Sequence, residues 1–223
     1  MSEQNRVVLE IAAKKSFASA LDWPGWCRPG KTAEESLVVL ADYAPRYQVI
    51  AELAGLGGIH EIAEHLDVIE KLEGDPTTEF GAPNIHAAAE DLFMTPEECE
   101  RQLALLQACW TFFDDVSARV SEEMQKGPRG GGRNRTEIIN HVNEAQRYYV
   151  TQLGVKAKRD SLVTRELIEP HREAIIAALR EHNQNQQHPR WPLRYVIRRA
   201  AWHVLDHSWE MEDKDLTSQG AQE

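Results

Sequence analysis

From Thr95 onward the chain repeats one pattern, apolar residues at steps of three and four broken by caps and turn formers, which points to packed helices. Thr95-Pro96-Glu97-Glu98 stacks three start signals: a threonine cap, proline in the first turn and glutamate at the third position. The stripe Leu103, Leu106, Trp110, Phe113, Ser117 and Val120 predicts a first helix that ends before Lys126–Arg133, a glycine-rich turn. Thr136 is expected to cap a second helix with Ile138, His141, Val142, Ala145 and Tyr148 or Tyr149 inward. Ser161–Glu181 predicts a third helical region, kinked or split at Pro170, and the polar run Asn183–Arg190 a loop. A fourth helix is expected from about Pro192 to Asp213, with Leu193, Val196, Ala200, His203 or Val204, His207 and Met211 on one face. Residues 95–223 therefore read as a four-helix bundle.

The first 94 residues follow a different rule. Val7, Leu9 and Ile11 alternate with Val8 and Glu10, a strand signature. Leu21–Gly30 is dense in turn formers yet holds Trp23 and Trp26, which either anchor this unit onto the bundle or line a pocket, anchoring being the commoner use. Thr32 with Glu35 forms a capping-box pattern ahead of Leu37, Leu40 and Tyr43 or Ala44, and Pro45 is expected to kink or end that helix. Residues 66–73 read as a second strand and 74–94 as a long turn-rich connection. The expected class is α+β, with a small α+β unit over 1–94 preceding the bundle.

At 223 residues and 42% hydrophobic content, the chain can bury a substantial core. No apolar run reaches the roughly 20 residues of a membrane span. The three cysteines, Cys27, Cys99 and Cys109, form no Cys-x-x-Cys pair, so a disulfide framework is not expected and a cytoplasmic location is. A net charge of −11 argues against nucleic acid as a partner. The charge is uneven: residues 1–94 hold 16 acidic against 7 basic side chains, residues 95–223 hold 20 against 18.

Three histidines carry the functional signal. His203 and His207 are four apart in one helical pattern, about 40° apart around the axis and roughly 6 Å along it, so both leave the same face. His141 sits on the inward stripe of another helix. A single inward histidine is usually a hydrogen-bonded core residue, and His-x-x-x-His alone is a common accident. Three on facing stripes are harder to satisfy without a cation, because each unpaired buried ring costs roughly 1–3 kcal/mol. Three imidazoles would leave further coordination positions open, as reactive sites do. His60, His65, His86, His171, His182 and His188 show no such pairing.

Arg135–Tyr149, which contains His141, resembles the second helix of the DinB/YfiT-like superfamily of metal-dependent enzymes. Ala201–Glu210, with its His203-x-x-x-His207, is similar to that superfamily's terminal helix. The resemblance covers about residues 95–215 and implies a four-helix bundle holding a divalent metal, usually Zn or Ni, on His141, His203 and His207. It further implies an enzyme of small molecules, since members include transferases and isomerases that use a low-molecular-weight thiol.

Three neutral imidazoles leave a bound cation its full charge, which suits either hydrolysis of a small electrophile or attack on it by a low-molecular-weight thiol. Imidazole ligation does not choose among Zn, Ni and Fe. Glu144, three residues after His141, is either a general base or partner to a ligand histidine, or an ordinary exposed carboxylate. Arg129 and Arg133, in the glycine-rich turn, either grip a substrate carboxylate or phosphate or are solvated. Asp206 and Glu210 are expected to pair with Arg198, Arg199 or water. The expected partner is a small-molecule substrate, with no nucleic acid and no membrane, and a homodimer is left open. The competing reading is a non-catalytic stress-response or protein-interaction module in which the histidines are structural.

Overall fold

The structure, a computed structural model, describes residues 5–128 and 130–217. It is a mixed α+β fold. Strands β1 (Arg6–Ile11), β2 (Ser16–Ala20) and β3 (Cys27–Gly30) come first, then helices α1 (Ala33–Asp42), α2 (Ala44–Leu53) and α3 (Ile59–Ala63). Strand β4 (Asp67–Glu73) and the short α4 (Pro76–Phe80) follow, and four long helices complete the chain: α5 (Pro96–Arg119), α6 (Arg135–Val150), α7 (Arg165–Gln184) and α8 (Leu193–Asp213). No helix among the described residues is long and apolar enough to cross a membrane.

The sheet order is β3-β2-β1-β4. β1 pairs antiparallel with β2, Leu9 opposite Ala18, and parallel with β4, Val7 opposite Val68. Both faces of β1 are covered, since Val7, Val8, Leu9 and Glu10 are all buried. Val7 and Leu9 enter the main core, while Val8 packs with Leu21 and Ala87 on the opposite side. Glu10 shares that second side, where its carboxylate accepts the backbone N–H of Asn84 and Ile85 (2.9 and 3.0 Å) and the Thr78 hydroxyl. A buried carboxylate needs such donors, and here they tie the 74–94 connection to the sheet. That connection also contains α4, capped by Asp75, which composition alone did not suggest.

β2 and β3 were not expected. Ser16-Phe-Ala-Ser-Ala is poor in β-branched residues, yet every one of its residues is buried, so packing on both faces overrides propensity. In the loop that follows, Trp23 makes the anchoring contact with the long helices, its ring lying 4.2 Å from the Arg101 guanidinium of α5, while Trp26 packs within the first unit. Trp26 donates its indole N–H to the Leu40 carbonyl (2.8 Å) and stacks on Tyr47, whose hydroxyl donates to the Pro24 carbonyl (2.8 Å). Gly25, at φ +94°, lets this loop lie against α8, where an added Cβ would stand 2.7 Å from Leu205 Cδ1.

Helix boundaries follow their caps. Thr95 and Glu98 form the reciprocal box that opens α5. Thr32 caps α1, but Glu35 reaches back to the N–H of Lys31. Pro45 separates α1 from α2 and lies in the first turn of α2. α6 opens at Asn134 rather than Thr136, because Asn134 and Glu137 complete the box two residues earlier. α7 is one helix from Arg165 with Pro170 inside it, and it runs on to Gln184. Tyr148 points to solvent, while Tyr149 is the half-buried one of the pair.

α8 touches each of α5, α6 and α7, and one hydrophobic core runs from Val7 to Met211 across both parts of the chain. Every residue of α8 from Tyr195 to Leu205 is buried. The buried Arg198 pairs with the buried Glu90 (2.7 Å) and also donates to the Ile85 carbonyl (3.0 Å). Glu90→Ala strands the Arg198 charge and is expected to cost about 3–5 kcal/mol of stability, read by urea unfolding. Glu90→Leu combined with Arg198→Met should recover most of it; an equal loss would mean that packing, not charge, dominates there.

Candidate metal centre

Two helices build the centre. α6 presents His141 and α8 presents His203 and His207, four apart on one face. His141 Nε2 lies 3.1 Å from His203 Nε2. Ring centroids are 4.9 Å apart for His141 with His203 and with His207, and 4.7 Å for His203 with His207. One ligand nitrogen from each ring falls within 4.8 Å of the others. Two nitrogens at roughly 2.0–2.1 Å from one tetrahedral cation stand roughly 3.3 Å apart, so the donor set fits a Zn- or Ni-sized ion.

The protonation state also fits. His203 is only 7% exposed, and burial first, then the neighbouring rings, hold its proton affinity well below the ordinary histidine value. Burial likewise lowers His141 to about 4, with help from His207 and Arg133. Both rings are therefore neutral at neutral pH, as ligands must be. His207 Nδ1 lies 2.7 Å from Glu210 Oε2. That carboxylate is held down at about 2, first by this contact, and also accepts from Lys214 Nζ at 2.5 Å. A carboxylate with no proton to give fixes the proton on His207 Nδ1 and leaves Nε2 as the free donor atom.

Around the cluster stand Tyr149, its ring centroid 5.9 Å from that of His203, and Trp202 at 5.8 Å. Arg133 and Arg199 both lie close enough to depress His203 further. Arg133 lines an open recess of about 610 Å³ with Gly132, Glu137 and Glu210.

The three histidines expected as ligands are thus brought together, and none of the other six joins them. Glu144 is elsewhere: it accepts from Arg147 Nε (2.9 Å) and from the Asp160 backbone N–H (2.8 Å), bracing the turn before α7. The carboxylate beside the imidazoles is Glu210, which the sequence reading assigned to Arg198, Arg199 or water. Arg198 instead holds Glu90, Arg199 donates to the Pro83 carbonyl, and Asp206 faces Arg28 (3.1 Å). A three-residue step, His207-x-x-Glu210, is the signal that marks the pair. Arg129 lies outside the described residues. The three cysteines are buried and free, with burial pushing Cys27 up to about 12, so the chain offers no reactive thiol of its own at this site.

Comparison of the chain with family models, with curated proteins and with solved structures returned no match.

In chelator-treated protein, stability is expected to fall as pH drops from roughly 6.5 to about 4. Across that window the unfolded chain binds a proton at His141 that the folded chain refuses, so acid favours unfolding. His141→Gln should flatten the slope in urea unfolding at stepped pH; a parallel slope would remove His141 as its source.

Proposed function

We propose that the chain is a DinB-like metal-dependent enzyme acting on a small electrophilic substrate, as a hydrolase or as a transferase of a low-molecular-weight thiol. The observation that carries this reading is the convergence of His141, His203 and His207 on one point from two helices. Their donor nitrogens suit a divalent cation, and Glu210 orients His207 as outer carboxylates orient metal-binding histidines. A cation held there supplies Lewis-acid polarisation and eases loss of a proton from a bound water or thiol near neutral pH. The chain's own part is to keep the His141 and His203 rings neutral by burial, to hold His207 Nδ1 against Glu210, and to offer Arg133 at the recess. Because the protein's thiols are buried, a thiol nucleophile would have to arrive as a second substrate.

One observation favours the competing reading, a non-catalytic module with structural histidines. The 3.1 Å Nε2 separation also suits an N–H···N bond between His141 and His203 without any cation. Elemental analysis separates the two. Untagged protein is expected to carry about one divalent ion per chain, and His203→Ala to lose nearly all of it. Glu210→Gln should keep the fold but weaken metal affinity roughly 10- to 100-fold in a chelator competition. Metal content in His203→Ala equal to that of the parent would reject the ligand assignment.

A further inference from the structure

We infer that the three-histidine centre takes a small organic oxyanion, with Arg199 gripping its carboxylate or phosphate oxygens and Arg133 meeting it at the mouth. This deepens the metal-enzyme reading and rests on it for the identity of the site.

The argument begins with charge accounting. The chain has 36 acidic against 25 basic side chains, so carboxylates are plentiful. Arginines accordingly find them: Arg28 holds Asp206, Arg172 holds Asp114, Arg194 holds Glu98 and Arg198 holds Glu90. Arg199 does not. It is 8% exposed, donates among the described residues to the Pro83 carbonyl, and its buried Nε has no hydrogen-bond partner among them. A buried guanidinium without a counter-charge is costly, and the preceding residue, Arg198, shows that this fold can supply one.

Its placement gives that charge a use. Arg199, His203 and His207 follow one another at steps of four along α8, one face of the helix. The guanidinium carbon lies 4.9 Å from the Trp202 ring centroid and 5.6 Å from that of Tyr149. The same Tyr149 ring stands 5.9 Å from His203, so a single aromatic ring borders both guanidinium and imidazole. Cation–π contact holds the guanidinium in position but leaves its net charge unanswered. Arg133 is exposed, has no carboxylate partner among the described residues, and shares its recess with Glu210, the partner of His207. Glu210 is itself occupied by His207 and Lys214. Two guanidiniums without a carboxylate partner among the described residues thus flank the imidazoles of an acidic protein, and a forked donor matches a planar or tetrahedral oxyanion.

The test titrates benzoate, phenyl phosphate and the neutral control benzamide into the full-length protein, read by calorimetry, with metal content measured on the same samples. One or both anions are expected to bind saturably and benzamide at least about tenfold more weakly; which anion binds tells carboxylate from phosphate recognition. Arg199→Gln should weaken the bound anion about tenfold or more and Arg133→Gln by a few-fold, metal content unchanged in both. Circular dichroism checks folding; should Arg199→Gln fail to fold, Arg133→Gln and competition by salt decide. Failure of both anions to bind, equal binding of benzamide, or unaltered affinity in the folded variants overturns the inference. Anion binding lost in Arg199→Gln but with no metal in the parent would uphold the anion site and reject the metal-enzyme reading. Metal present with anion binding indifferent to both arginines would do the reverse.

Discussion

Helix α8 has no solvent face between Tyr195 and Leu205, so each polar group it carries there needs an internal partner. Those partners come from the other end of the chain. Arg198 reaches Glu90 and the Ile85 carbonyl, and Arg199 the Pro83 carbonyl. The segment that supplies them is in turn fixed by Glu10, which accepts the Asn84 and Ile85 N–H groups from the middle of β1. A line of hydrogen bonds thus runs from the sheet through the 83–91 segment to the turn of α8 just before His203. Packing follows the same line, with Trp26, Tyr47 and Gly25 seating the β2–β3 loop against α5 and α8. The first 94 residues thus supply the partners with which α8 buries Arg198 and Arg199 just ahead of His203.

Much of the centre was legible in the sequence because helical periodicity fixes which residues share a face. The four-residue step put His203 and His207 together, and the inward stripe of α6 put His141 toward the interior. What periodicity does not fix is how two helices cross. Glu144 is one turn from His141, but α6 meets α8 on the side that turns Glu144 toward Arg147 and the Asp160 backbone. Glu210 belongs to the same helix as two of the histidines, so its pairing needed no crossing angle, and it was passed over only because arginines nearby seemed better partners. Those arginines were already committed to residues about 110 positions earlier, a long-range fact that no local pattern carries.

The fold of the first 94 residues was read less completely for a related reason. β1 and β4 advertise themselves with β-branched residues, whereas Ser16–Ala20 holds none. It is a strand because β1 offers it a ladder on one side, β3 another on the other, and the core covers its faces. Asn134 shows the same principle on a smaller scale: two candidates two residues apart compete to cap α6, and the one with a glutamate three residues on satisfies two backbone N–H groups rather than one.

The proton count at the histidine cluster decides how it responds to a cation. Glu210 fixes one proton on His207 Nδ1, which leaves the Nε2 lone pair of that ring facing its neighbours. Between His141 and His203, a 3.1 Å Nε2 pair needs one nitrogen to donate and the other to accept. Without a cation, the His141 and His203 nitrogens therefore share a single proton, and burial disfavours a second one on either of those rings. A divalent ion answers all three lone pairs at once, at the cost of moving that one proton to the far nitrogen of its own ring. That is a change of tautomer, not of charge, so near neutral pH metal uptake need release no proton from His141 or His203. Below about pH 4 the balance reverses, because His141 then takes a proton in the folded state as well and the cluster becomes a poor home for any cation.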